Sequence, residues 1–191
     1  EIGRGNGVGW LTRRFPGLRV VTIDAGDLGE REAELTDPDR VGALLRAVCD
    51  EAGAGPVMVA GQSYGGLAVL EAGLRSDVPV DEFVAQSPSL WWGGARRGVG
   101  EGTLMGDLRV GLVKPRQGVR LRLQVGTLEE TMRPVVDDCA ELLRRQGADV
   151  ELDHYRSGHD VAWWREGLVR ALDEWEPSHM LTRNETAQVN A

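Results

Sequence analysis

Ser63 stands in Gly61-Gln62-Ser63-Tyr64-Gly65-Gly66, after the apolar run Val57-Met58-Val59-Ala60 and before a segment with Leu67, Leu70 and Leu74 on one helical face. A serine between glycines at a strand-to-helix turn is suited to nucleophilic chemistry, because so tight a turn lifts the hydroxyl above the sheet and aims a helix N-terminus at it. Side chains at Gly61 and Gly65 are expected to collide with neighbouring backbone there. A hydroxyl is a weak nucleophile and needs a base. Of the three histidines, His154 falls inside a strand pattern and His179 in a polar tail. His159, in Ser157-Gly158-His159-Asp160, falls in a loop directly after the last strand pattern and is the expected base. An acid that orients the imidazole belongs on another post-strand loop, between the two in chain order. Glu129, in Gly126-Thr127-Leu128-Glu129-Glu130, is the first choice; Glu130 and Asp160 are alternatives, and a Ser/His dyad stays open. The Tyr64 N–H, at the start of the helix, is the expected oxyanion donor. The bland alternatives are a Gly-rich turn with a capping serine, a histidine capping the last helix, and acidic residues that merely favour a helix N-terminus.

These residues can meet only if the chain folds so that strand ends gather at one place. Five runs read as strands: 18–24, 56–60, 83–87, 119–125 and 150–155. Helix-period segments lie between them at about 38–53, 65–75, 131–146 and 161–175, the first opened by Thr36-Asp37-Pro38 as a cap with Pro in the first turn. Alternation of this kind marks βαβ units around a mainly parallel sheet, whose active sites lie outside the carboxyl ends of the strands. Residues 91–115, rich in Gly and Arg with little periodicity, read as an excursion over the end of the sheet. One domain over 1–176, followed by a flexible polar tail over 177–191, is the expected organisation.

Composition narrows the partners. A net charge of -8 and a pI near 5.0 argue against a nucleic-acid binder, which needs clustered cations to replace condensed counterions. No run approaches the ~20 apolar residues that span a bilayer, so a soluble, cytoplasmic chain without membrane contact is expected. Cys49 and Cys139 lie in helical patterns without C-x-x-C spacing and read as buried free thiols; no metal or organic cofactor is expected. Oligomeric state has no signature here. The chain opens with Glu1 rather than Met, which suggests a domain incomplete at its N-terminus.

Four blocks together resemble the enterochelin (enterobactin) esterase family of the esterase D-like α/β-hydrolases: Val59 to Leu67 around the serine, Gln86-Ser87-Pro88-Ser89-Leu90-Trp91-Trp92, Val125 to Glu129, and Ser157 to Asp160 with Trp163-Trp164-Arg165. The double Trp and the G-H-D to W-R spacing are the specific part. The resemblance implies an α/β fold, the α/β-hydrolase three-layer sandwich with a mainly parallel sheet, here lacking its N-terminal strands. It also implies a carboxylic ester hydrolase that opens a catecholate siderophore, free or ferric, to release iron. Such ligands are aromatic and anionic, so Trp91 and Trp92 are expected to stack on them while Arg96, Arg97, Arg133 or Arg165 meets their charge; core packing and solvated arginines are the plain alternatives. The family's upstream strand and loop, which supply a second oxyanion donor, have no match in Gly7-Val8-Gly9-Trp10. An acyltransferase, another carboxylesterase or a catalytically silent binding remnant are the competing readings.

Overall fold

The computed structural model describes residues 7–23, 28–53 and 55–188. Its strands are β1 (Met58–Gln62), β2 (Glu82–Gln86), β3 (Arg120–Gly126) and β4 (Asp149–Tyr155). They pair in the order β1-β2-β3-β4, all parallel, with Gly61 beside Ala85, Ala85 beside Leu123 and Leu123 beside Leu152. The helices are α1 (Gly7–Arg14), α2 (Leu28–Leu35), α3 (Pro38–Ala52), α4 (Tyr64–Arg75), α5 (Thr103–Val110), α6 (Arg133–Arg145) and α7 (Val161–Gln188). Asp37 caps α3 through its side chain, accepting the N–H groups of Asp39 and Arg40, as the Thr-Asp-Pro sequence implies.

Alternation along the strands gives the sheet two unlike faces. Phe83, Ala85, Leu121, Leu123 and Val125 point into an apolar layer filled by α3, α4, α5 and α6. On the other face Glu82, Gln86, Arg122, Gln124 and Asp153 are buried beneath α7. Arg122 there binds Glu82 at 2.9 Å, Glu151 at 2.9 Å and Glu174 of α7 at 2.6 Å. Beside this polar layer α1 and α7 close an apolar patch of Leu11, Phe15, Leu168, Leu172 and Trp175 that also covers Met58. The result is helices on both sides of a mainly parallel sheet, the expected three-layer α/β-hydrolase arrangement.

Four of the five expected strands form. The fifth does not: residues 18–23 run without sheet pairing, with Val21 50% and Ile23 44% exposed, and Asp24 lies outside the described residues. A β-prone sequence becomes a strand only beside a partner. Among the described residues β1 pairs with β2 alone, so its outer edge is free. Helices α2 and α5 are additional to the expected set; α5 lies inside the 91–115 segment read as an excursion. The backbone of α7 continues to Gln188, beyond the apolar pattern that ends at Trp175 and through the stretch expected as a tail.

No helix among the described residues is long and apolar enough to cross a membrane. Cys49 and Cys139 are buried and free, as expected.

Candidate functional site

Ser63 is the single residue between β1 and α4. Its backbone sits at φ 57, ψ -115, a conformation that costs a non-glycine residue on the order of 1–3 kcal/mol. The surrounding contacts hold it there. Its N–H donates to Gln86 O at 2.9 Å, and its carbonyl accepts from Leu67 at 3.1 Å and Ser89 at 3.0 Å. A Cβ at Gly61 would lie 2.2 Å from Gly65 O, so Gly61 is required, as expected. The expectation for Gly65 is corrected: a Cβ there meets nothing within 4 Å, and the second crowded glycine is Gly66, where a Cβ would come 2.8 Å from Gln86 O. The reason is that Gly66, not Gly65, faces the β2 end as α4 begins. Tyr64 is the first residue of α4, where an N–H has no acceptor within its helix.

Glu129 and His159 meet. His159 Nδ1 lies 2.8 Å from Glu129 Oε2, the Glu129 side chain being 3% exposed and that of His159 39%. The other carboxylate oxygen, Oε1, accepts from Ser87 Oγ at 2.6 Å and from Gly126 N–H at 2.8 Å. Burial pushes the Glu129 carboxyl up, but hydrogen bonds from His159, Ser87 and Gly126 outweigh it and hold the group below the usual carboxylate range. The alternatives to Glu129 are occupied elsewhere or exposed. Glu130 faces solvent, and Asp160 caps α7, accepting from the Ala162 and Trp163 N–H groups and from Ser157 Oγ.

Trp164 packs edge-on against the imidazole, ring centroids 4.7 Å apart, and donates its indole N–H to Ser87 Oγ at 3.1 Å. Trp163 stacks on Tyr155 at 4.8 Å and bonds Gly158 O, steadying the loop that carries His159. Ser63 Oγ lies 3.3 Å from Ser89 Oγ; among the described residues no hydrogen bond joins it to His159. The loop after β2 therefore touches both ends of the constellation, Ser89 at the serine and Ser87 at the acid. Neither was singled out from the sequence as a site residue, although both stand in the block that carries the resemblance. Their position directly after a strand, like that of Ser63, is the signal that marks them.

Beside Ser63, Trp91 and Trp92 pack edge-on against the Tyr64 ring at 5.6 and 5.7 Å. Arg97 lies over Trp91 at 5.7 Å and donates to the Tyr64 hydroxyl at 3.1 Å, and that hydroxyl donates to Glu32 of α2 at 2.9 Å. Burial first, and then the bond to Glu32, push the Tyr64 phenol up to about 12. Of the arginines expected to meet an anionic ligand, Arg97 is thus at this aromatic cluster. Arg165 instead stacks over Trp10 of α1 at 4.1 Å. Arg133 is exposed at the first turn of α6, its N–H bonded to Glu129 O. Among the described residues no group of three or more His, Cys, Asp or Glu side chains is placed to hold a metal ion.

Comparison with known proteins adds to this geometry. The family model described as "Putative esterase" matches residues 39–175. The iron(III) enterobactin esterase of Escherichia coli is 34% identical over 179 residues, covering 87% of this chain and 44% of that protein. An iron(III) salmochelin esterase from another Escherichia coli strain is 34% identical over 119 residues, 60% of this chain and 29% of that one. Among solved structures, the enterobactin esterase FES of Shigella flexneri, crystallised in the presence of 2,3-di-hydroxy-N-benzoyl-glycine, superposes with a TM-score of 0.75 at 33% identity, over 90% of this chain and 48% of that one. The chain spans less than half the length of the curated relatives it matches.

Proposed function

Because the chain belongs to the esterase family, we propose that it is a serine carboxylic ester hydrolase, acting inside the cell on an enterobactin-like catecholate siderophore, free or ferric. The observation that carries this reading is the His159–Glu129 hydrogen bond of 2.8 Å at the same end of the sheet as the strained Ser63 turn. Glu129 fixes the proton on Nδ1 and leaves Nε2 free to act as base. Ser63 Oγ then attacks an ester carbonyl and passes its proton to Nε2, with the Tyr64 N–H receiving the oxyanion. Collapse expels the alcohol, which takes the proton back from His159, and water releases the acyl group by the same steps. The names of the relatives support the substrate class, and the cluster of Trp91, Trp92 and Arg97 beside Ser63 suits anionic aromatic rings.

A second reading, ligand binding without turnover, is favoured by one observation: the hydrogen-bond partner described for Ser63 Oγ is Ser89 Oγ, at 3.3 Å, rather than His159. The two separate in one experiment. The full chain and its Ser63→Ala and His159→Ala variants are treated with a fluorophosphonate probe and with ferric enterobactin, products being resolved by chromatography. Labelling and cleavage by the wild type alone support the esterase. A folded wild type that binds the siderophore but neither labels nor cleaves overturns it in favour of binding.

A further inference from the structure

We propose that Ser87 and Trp164 are positioning residues, a two-step relay that turns the Glu129 carboxylate so that one oxygen is left for His159; this rests on the esterase reading above. An indole N–H can only donate. Since Trp164 Nε1 donates to Ser87 Oγ at 3.1 Å, the Ser87 oxygen is the acceptor there and its own proton is directed to Glu129 Oε1, 2.6 Å away. With Gly126 N–H at 2.8 Å on the same atom, Oε1 holds two donors and Oε2 holds His159 Nδ1. Every proton in the line therefore has a fixed direction, and each bond favours the ionised carboxylate. The downward shift of the Glu129 carboxyl, against the effect of burial, is in keeping with this.

Two further facts single out Ser87. It is fully buried, and its backbone lies at φ 43, one of two non-glycine residues with positive φ among the described residues, the other being Ser63. Strain of this kind persists where the surroundings impose it and clusters at working sites. Trp164 also presses its ring edge on His159, so one side chain holds both the imidazole and the hydroxyl behind its acid.

The test uses Ser87→Gly, which suits a positive φ and removes the hydroxymethyl group, and Trp164→Phe, which keeps a ring against His159 and removes the N–H with part of the indole. Wild type, both variants and the double variant are compared by kcat and KM on a p-nitrophenyl ester and by the pH at which the low-field His159 Nδ1–H proton resonance is lost. Ser87→Gly is expected to lower kcat about tenfold at unchanged KM and to move the loss of that resonance to higher pH. Trp164→Phe is expected to act in the same direction, more weakly, and to add nothing in the Ser87→Gly background. Wild-type kcat and an unmoved resonance in Ser87→Gly, or losses that multiply in the double variant, would overturn the relay. If the wild type itself turns over no ester, the esterase reading fails, while the resonance still decides the relay because it needs only the His159–Glu129 pair.

Discussion

Replacing Glu129 by Gln keeps the shape of the side chain and removes its charge, and the structure dictates how the amide sits. Oε1 faces two donors, the Ser87 hydroxyl and the Gly126 N–H. The amide oxygen must take that place, since an NH2 there would leave two buried hydrogen bonds unmade, about 2–6 kcal/mol together. The NH2 then faces His159 Nδ1, which is obliged to accept. The imidazole proton moves to Nε2, the atom that receives the proton of Ser63 in the proposed mechanism. Neutralising the acid of a Ser-His-Asp triad in this way lowers turnover by about 10⁴-fold, or roughly 5.5 kcal/mol of activation free energy. The expected outcome for Glu129→Gln is a fall of that order in ester hydrolysis and in fluorophosphonate labelling rate at neutral pH, with a melting temperature close to wild type because the hydrogen-bond count is preserved. Glu130→Gln, at an exposed neighbour, serves as the control and retains wild-type rate. A Glu129→Gln protein within tenfold of wild type, or a Glu130→Gln protein as impaired, would refute the assignment of the acid.

Gly61→Ala should destabilise the chain by more than about 3 kcal/mol in denaturant melts, since its Cβ would lie 2.2 Å from Gly65 O; Gly65→Ala, into open space, should stay within about 1 kcal/mol of wild type. Arg122→Met should cost roughly 3–5 kcal/mol in the same melts, because it takes the 2.9 Å cation from the fully buried Glu82 and leaves it Arg120 at 4.0 Å, and a second substitution, Glu82→Leu, should recover part of the loss.

The elbow was legible because its signals are local: an apolar strand, a Gly-x-Ser-x-Gly turn and a helical leucine face follow one another within a short stretch. The end of β4 and the following His159 loop were legible for the same reason. Glu129 and Glu130 could not be separated by sequence, since adjacent carboxylates on a post-strand loop differ only in which one turns inward. Here Gly126 and Ser87 supply the donors that decide it. Arg165 looked available because its partner, Trp10, stands in α1, at the far end of the chain, and only the packing of α1 against α7 joins them. Residues 18–23 carry β-branched residues but pair with no strand among the described residues, and pattern alone cannot register pairing. Helix α5 was hidden by the Gly- and Arg-rich residues around it, and the tasks of Ser87 and Ser89 emerge only when the ends of β1, β2 and β3 lie side by side.

The two unlike faces of the sheet give the constellation unequal footing. Ser63 and Glu129 follow strands locked by the apolar layer, whereas His159 lies in the loop that leads into α7, whose Glu174, Trp164 O and Gly167 O meet the sheet through Arg122, Gln86 and Gln124. Opening on the apolar side exposes the large hydrocarbon cluster to water; lifting α7 uncovers a smaller apolar patch and polar contacts that water can replace, so the α7 side is the cheaper one to open. Asp160, next to His159, caps that helix, and Trp164 packs against the imidazole. A partly loosened molecule therefore parts with His159 while Ser63 and Glu129 remain in place, and the proposed hydrolysis would stop well before the chain unfolds.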